Sequence, residues 1–323
     1  MNQIINIGVL GCADIAKRLV IPAIKASDKF KLVAIASRSA EKAREFSSCF
    51  SCDAIEGYSN LITRKDIHAV YVPLPIGMHH EWVTNSLQNN KHVLCEKSLA
   101  TDYSSARAMV ETARKHSLAL EENFAFAFHS QHQVIRDMIV NGELGEIRCF
   151  RSSFGFPPFP DQNNIRYSKT LGGGSLLDAG AYTVKATRLI LGDAIEVKAS
   201  HLNVDSARQI DIFGGAFLVT EAGIFSEIAF GFDNYYQCNY EIWGSKGKLI
   251  SERAFTAGPG IQPRVIVENQ GEKHVYTLPS DNHFSKTLDH FHHSIQSNTP
   301  ETSYSDILNQ SRLITQIQEH AAR

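Results

Sequence analysis

Ile4-Ile5-Asn6-Ile7-Gly8-Val9-Leu10-Gly11-Cys12-Ala13-Asp14-Ile15-Ala16 opens the chain with an apolar run, a turn of small residues and a helix-like stretch. A strand that passes through such a turn into a helix is how a dinucleotide-binding unit begins. Its backbone must approach a pyrophosphate, and a helix N-terminus must face the negative charge. In the G-x-G-x-x-G pattern Gly11 holds the first position, and Ala13 and Ala16 stand where the second and third glycines would be. A plain strand-turn-helix reads the same way, so the cofactor reading leans on the place of this segment near Met1 and on the next strand.

That strand, 30–36, ends at Ser37-Arg38-Ser39, with Lys42 a helical turn later. An acidic residue at this point would hold the ribose 2′-hydroxyl of NAD(H), whereas an Arg accommodates a 2′-phosphate. Here there is no Asp or Glu, and a hydroxyl with a guanidinium can hold phosphate oxygens through charge-assisted hydrogen bonds. The bland alternative is that Arg38 and Lys42 only solvate a helix start. Within a Rossmann frame the pattern favours NADP(H).

Composition bounds the rest. A chain of 323 residues, 43% apolar and 20% charged, fits a soluble protein of two domains. A net charge of −2 gives no reason to expect nucleic acid or an anionic membrane surface as partner. No apolar run approaches the ~18 residues of a membrane helix. No signal peptide precedes the first strand, and a cytoplasmic protein is expected. The six cysteines are scattered, and Cys49-x-x-Cys52 lacks the second pair or His cluster of a zinc site. The fourteen histidines include His290-Phe291-His292-His293 but no recognised zinc spacing, so no metal is expected.

The two halves differ in character. Up to about residue 122, strands at 4–10, 31–36, 68–73, 91–95 and 118–121 alternate with helices, notably 14–26, 79–89 and 102–116, which implies a parallel sheet covered on both faces. From 123 to 323 a helix near 130–141 and an alternating strand at 147–154 are followed by strands near 195–203, 210–219, 224–232, 236–243 and 264–268. With no helices between those later strands, they predict an open, mostly antiparallel sheet, closed by a helix over 304–321 that packs back on the body. The expectation is an α/β protein: a Rossmann domain, 1–122, and a second α/β domain, 123–323, for substrate and oligomerisation. Between strands lies a long aromatic, proline-rich loop, 155–167, of the kind that is often functional. It leads to Gly172-Gly173-Gly174-Ser175-Leu176-Leu177-Asp178-Ala179-Gly180-Ala181-Tyr182, where Asp178 is placed to cap a helix running to about 191.

Together these segments resemble the glucose–fructose oxidoreductase / inositol dehydrogenase family of two-domain dehydrogenases, over nearly the whole chain. The likeness rests on the N-terminal fingerprint, Cys95-Glu96-Lys97-Ser98, Gly142-Glu143-Leu144-Gly145-Glu146-Ile147, and the glycine-rich run up to Tyr182. The resemblance implies that Lys97, the lysine of the family's Glu-Lys-Pro, lies in the active site. Ser98 replaces the proline, and X-Ser strongly disfavours the cis peptide. It also implies roles for Asp178 and, four residues on, Tyr182. Relatives with His at the latter position often carry Asp three residues further, where this chain has Lys185, so the inositol dehydrogenase form of the site is disfavoured. The cofactor contacts implied are Gly11, Ala13, Asp14, Ile15, Ser37, Arg38, Lys42, Pro73, Leu74, His79, Glu96 and Lys97. Those implied for substrate are Asn123, His129, Arg166, Tyr167, Asp178 and Tyr182.

The chemistry agrees with this assignment. Hydride transfer to a ketone builds negative charge on oxygen, which needs a proton donor within hydrogen-bond reach. A tyrosine, with a reference pKa near ~10, serves at neutral pH when a cation assists it. Tyr182 is thus the expected acid and Lys97 its electrostatic partner. A surface lysine and a core aromatic are the plain alternatives.

The segments 124–132, 164–167 and 172–178 look like the nucleotide-sugar 3-ketoreductases of deoxysugar pathways, which use NADPH. In that reading Arg166 contacts a nucleotide phosphate or, equally, forms a structural ion pair, and His129 and His132 contact substrate or cap a helix. The rival readings are an NADP-dependent dehydrogenase of a free aldose or dihydrodiol, and a non-catalytic NADP(H)-binding sensor. The open sheet leaves a face that a homodimer or homotetramer would cover.

Overall fold

Buried apolar runs, Ile7 to Leu10, Ala34 to Ala36, Ala69 to Val72 and Val93 to Cys95, form the interior of one parallel sheet. Its strands are β1 (Ile5–Leu10), β2 (Phe30–Ser37), β3 (Asp53–Glu56), β4 (Ala69–Val72), β5 (His92–Glu96) and β6 (Leu120–Asn123), in the order β3-β2-β1-β4-β5-β6. Every pairing in this sheet is parallel. The order reverses between β1 and β4, and ligands of open α/β sheets bind beyond the strand C-termini at such a switch point. The computed structural model describes residues 4–297 and 300–322.

Between the strands run α1 (Ile21–Ala26), α2 (Ala40–Ser48), α3 (Tyr58–Ile62), α4 (His79–Gln88) and α5 (Tyr103–His116). The expected helix over 14–26 is helical from end to end, with a π-type stretch, Ala16–Val20, leading into α1. Ser39 caps α2 by accepting from the Lys42 N–H, and Asp102 caps α5 by accepting from the Ser105 N–H. The strand β3 was not expected: Asp53–Glu56 is a mostly exposed edge with no apolar alternation to mark it.

The second sheet comprises β7 (Ile147–Gly155), β8 (Ile195–Asp205), β9 (Ile210–Thr220), β10 (Phe225–Gly231), β11 (Gln237–Gly244), β12 (Gly247–Ser251), β13 (Arg264–Asn269) and β14 (Glu272–Thr277). The order is β14-β13-β12-β11-β7-β10-β9-β8, antiparallel throughout except for β7 against β10. Two of these, β12 and the fully exposed edge β14, were not expected. One face is buried through Phe150, Leu218, Ile228, Tyr240 and Ile242. On that unit lie α6 (Ser130–Val140) and α7 (Ala181–Leu191), the latter against β7 and β10. The opposite face exposes Phe213, Phe217 and Trp243 beside the ladder Glu227–Arg151–Glu241.

The chain forms two compact units, Met1–Asn123 with Phe284–Ser311, and Phe124–His283 with Arg312–Arg323. The expected continuous 123–323 domain is corrected by the two last helices, α8 (His283–Ser297) and α9 (Glu301–Ala321). Most of α8 and the first half of α9 belong with the parallel sheet. Tyr304 and Ile307 of α9 are buried in the apolar core of that unit, and a polar latch adds to it: the buried Glu121 Oε1 accepts from the Ser294 and Ser303 hydroxyls at 2.6 Å each, and Arg114 makes a two-pronged ion pair with Glu301. The 290–293 histidine group lies in α8, where Phe291 stacks on Phe30.

Candidate functional site

At the carboxyl end of β1 the chain makes the expected tight turn. Gly11 has φ +117° and its N–H donates to the Ala36 carbonyl at 2.9 Å. The dihedral requires glycine, and a Cβ here would lie 2.9 Å from Leu74 Cδ2. Ala13 and Ile15 are half-buried in the following turn, and exposed Asp14 pairs with Arg18 at 2.5 Å, a surface pair of small energetic worth. Ser37 is buried at the end of β2, where its hydroxyl accepts from the Ser39 N–H. Arg38 and Lys42 are exposed beside it. Burial pushes the Tyr58 phenol up while the neighbouring Arg38 opposes by charge and hydrogen bond, and burial pushes the Cys12 thiol up against the charge of Lys42. A hydroxyl and two cations therefore gather where an adenosine ribose would end. That donor set, together with the cradle at Gly11, fits NADP(H).

Beyond β4 and β5 the structure corrects several expected contacts. Pro73 and Leu74 are buried in the loop after β4. His79, expected as a cofactor contact, has no exposed surface at all. Its Nε2 lies 2.7 Å from the Leu74 carbonyl and its Nδ1 2.9 Å from the Ser98 carbonyl. The carboxyl of Glu96 is likewise turned inward: Oε1 accepts from the Tyr71 hydroxyl and from Asn123 Nδ2, both at 2.6 Å, and burial pushes its pKa up. Asn123, expected to touch substrate, spends its amide on that bond, while its buried Oδ1 has no hydrogen-bond partner. Lys97 is half-buried, and the Lys97–Ser98 peptide is cis, against the expectation for X-Ser. The next N–H, of Leu99, donates to Glu122 Oε1 at 2.7 Å.

In the second unit the glycine-rich run is wrapped tightly. Gly174 has φ +118°, and a Cβ there would lie 2.4 Å from Asp211 Oδ1. Asp211, from β9, accepts from the Ser175 hydroxyl at 2.7 Å and the Leu176 N–H at 2.6 Å. It thus does the capping expected of Asp178, and burial pushes its own carboxyl up. Asp178 instead sits inside a π-type segment, Leu176–Gly180, and accepts from Arg166 Nε at 2.6 Å. The Arg166 guanidinium lies 4.7 Å above the Phe159 ring. Arg166 thus makes the ion pair that was one of its two expected roles.

Tyr182, on the first turn of α7, is half-buried among four rings: Phe154, Phe126, Phe124 and Phe255, with centroids 5.1 to 5.7 Å away. Lys185 Nζ lies 5.5 Å from the Phe124 ring. Two residues expected to contact substrate also make contacts within the protein. Tyr167 is buried with Phe156, Phe159 and Phe232 and accepts from the Phe159 N–H, so it is the core of the 155–167 loop. His129 is buried and caps α6 by accepting from the Gln131 N–H, while His132 bonds the Tyr240 hydroxyl at 2.9 Å. The residues not foreseen are Tyr71, Glu122 and Asp211. Each acts through a tertiary partner and leaves no local pattern.

Among the described residues no group of three or more His, Cys, Asp or Glu side chains is placed to hold a metal ion, and no helix is long and apolar enough to cross a membrane.

Residues 5–124 match the model of an oxidoreductase family with an NAD-binding Rossmann fold, and residues 132–250 match the GFO/IDH/MocA C-terminal domain. A dTDP-3,4-didehydro-2,6-dideoxy-alpha-D-glucose 3-reductase of Saccharopolyspora spinosa is 40% identical over 93% of this chain and 90% of its own length. The enzyme of that description from Actinomadura kijaniata is 40% identical over 98% of this chain and 96% of its own. The crystal structure of a 3-ketoreductase from Actinomadura kijaniata with NADP and TDP-benzene is similar at a TM-score of 0.95, with 39% identity and 98% of each chain covered. That 3-ketoreductase has also been crystallised as a tyrosine-to-phenylalanine variant and as lysine-to-alanine and lysine-to-glutamate variants.

Proposed function

Because the chain belongs to the Gfo/Idh/MocA family of oxidoreductases, we propose that Lys97 and Tyr182 are the electrostatic partner and the proton donor in reduction of a ketone on a nucleotide-linked sugar. The enzyme reduces the 3-keto group of a nucleotide-linked deoxyhexose and uses NADP(H). The observation that carries this reading is the likeness, over almost the entire chain, to a 3-ketoreductase described with NADP and a TDP ligand.

When bound, NADPH supplies the hydride. As negative charge grows on the ketone oxygen, the ammonium of Lys97 stabilises it. The Tyr182 hydroxyl gives up its proton to that oxygen. Four aromatic neighbours hold the Tyr182 ring, so the hydroxyl is aimed before substrate arrives. Asp178, fixed by Arg166 Nε, is the acceptor for a sugar hydroxyl. A contact from Arg166 to a nucleotide phosphate then rests on its terminal nitrogens. Gly11 and residues 13–15 would hold the pyrophosphate of the cofactor, and Ser37, Arg38 and Lys42 its 2′-phosphate.

The protein works in the cytoplasm as a homodimer or homotetramer. The exposed Phe213, Phe217 and Trp243 on the open sheet face support that assembly.

The test is NADPH oxidation, followed by absorbance, with an enzymatically generated dTDP-linked 3-keto-deoxyhexose. Free aldoses and dihydrodiols with NADP⁺ are run in parallel. Turnover confined to the nucleotide sugar is expected. Turnover confined to free sugars or diols would discard the nucleotide-sugar assignment and keep the Lys97 and Tyr182 roles.

A further inference from the structure

His79 is the first residue of α4 and is fully buried, yet neither ring nitrogen serves its own helix. One nitrogen meets the carbonyl of Leu74, in the loop after β4. The other meets the carbonyl of Ser98, directly after Lys97. Burial holds the ring below the ordinary histidine range against the opposing backbone groups of Leu74, Ser98 and Leu99, so at neutral pH it carries one N–H to share among them. Whichever it serves, the rigid ring spans the gap between residues 74 and 98 and leaves no surface for a ligand.

The other bonds around Lys97 give this brace its meaning. On the N-terminal side the Glu96 carboxyl is held by Tyr71 and Asn123. On the C-terminal side the Leu99 N–H is held by Glu122. Between them the Ser98 carbonyl lies next to the lysine, and His79 Nδ1 packs against it at 2.9 Å. A lysine on a flexible four-carbon stem places its ammonium no better than its own backbone is placed.

We propose that His79 is a positioning residue for Lys97, fixing the Ser98 carbonyl so that the ammonium is delivered to the reacting oxygen. This rests on the catalytic reading of Lys97. Errors of about 1 Å in such placements cost about 10²-fold in rate, so the effect falls on kcat with keto sugar rather than on NADPH affinity.

The experiment is a double-mutant cycle on the full-length enzyme, with His79→Leu, His79→Gln and Lys97→Ala measured singly and His79→Leu combined with Lys97→Ala. Steady-state kcat is read with the keto sugar, and NADPH affinity by fluorescence titration. The expected results are a loss of kcat of about tenfold or more in His79→Leu and recovery of most of it in His79→Gln, whose amide restores a donor. NADPH affinity should be unchanged within about threefold, and His79→Leu should have no further effect once Lys97 is alanine. Equal losses in both backgrounds, or an unchanged kcat in His79→Leu, would overturn the proposal. Full activity in Lys97→Ala alone would remove the catalytic reading itself, and this inference with it. If His79→Leu does not fold, His79→Asn, which keeps a polar group but shortens its reach, enters the same cycle with the same criteria.

Discussion

The two candidate catalytic residues are held by opposite means. Around Lys97 the frame is polar: a carboxyl with two donors, a carbonyl against an imidazole, and an N–H on a second carboxylate. Around Tyr182 it is apolar, four phenylalanine rings and the turn that Asp211 closes. The difference follows from what each group must do. A long charged side chain is aimed by anchoring its backbone, and hydrogen bonds are directional enough to do so. A rigid ring with two torsions is aimed by packing, and edge-to-face contacts fix its plane. One consequence is that donor-preserving substitutions near Lys97 should cost chiefly rate, whereas packing substitutions near Tyr182 should cost rate and stability together.

Tyr182→Phe gives the largest expected effect. It keeps the ring and its cage and removes the proton donor, so kcat should fall by about 10²–10⁴-fold while Tm and NADPH affinity stay put. Parent-like turnover with the keto sugar would place the proton donor elsewhere.

Charge reversal by Arg38→Glu comes next. Losing one charge-assisted bond to a phosphate costs about 1.5–3 kcal/mol, so the NADPH-to-NADH ratio of kcat/KM should drop by at least ~10-fold. An unchanged ratio would mean that Arg38 only solvates α2.

Asp211→Ala breaks the second frame without touching a ring. It leaves the Leu176 N–H and the Ser175 hydroxyl unpaired at a buried turn, which costs about 1–3 kcal/mol and should show as a lower denaturation midpoint. The same substitution should raise KM for the sugar through a displaced Asp178. A loss of rate with no loss of stability would contradict the contrast drawn between the two frames.

The smallest effect concerns pH. Burial lowers His132 from 6.5 to about 3. Because the folded pKa is depressed, the stability it contributes is present above 6.5 and is lost as pH falls toward 3, where the unfolded chain already binds the proton. His132→Gln, which keeps a polar partner for the Tyr240 hydroxyl, should therefore show a shallower fall in Tm between about pH 7 and about pH 5 than the parent. Parallel slopes would mean that the acid sensitivity lies in other groups.

What could be read from the sequence follows burial and locality. β1, β2, β4 and β5 are legible because strands covered on both faces are continuous apolar runs, and β7 to β11 because one covered face gives alternation. The edges β3 and β14, exposed along most or all of their length, carry neither pattern. The helix α8 was read as a histidine cluster because His290, His292 and His293 stand out by chemistry, while its period lies in Phe284, Leu288 and Phe291. The site divides the same way. Gly11 and the Ser37-Arg38 strand end have local signatures. Lys97, Asp178 and Tyr182 were singled out by family likeness. His79, Glu96 and His129, expected at ligands, also bond protein groups: His79 and Glu96 reach Ser98 and Asn123 across the fold, and His129 caps α6, contacts that residue type alone does not announce. Asp211, which does what Asp178 was expected to do, lies 36 residues beyond the turn it closes.

The central claim is hydride delivery to carbon 3 of a nucleotide-linked deoxyhexose. Its most direct test is reduction of the dTDP-3-keto-deoxyhexose with NADPH carrying deuterium at both positions of nicotinamide C4, followed by locating the label in the product by NMR. The account predicts deuterium at sugar carbon 3, formed by the parent enzyme and not measurably by Tyr182→Phe. Deuterium at another sugar carbon, or a consumed cofactor with no label in the sugar, would contradict it.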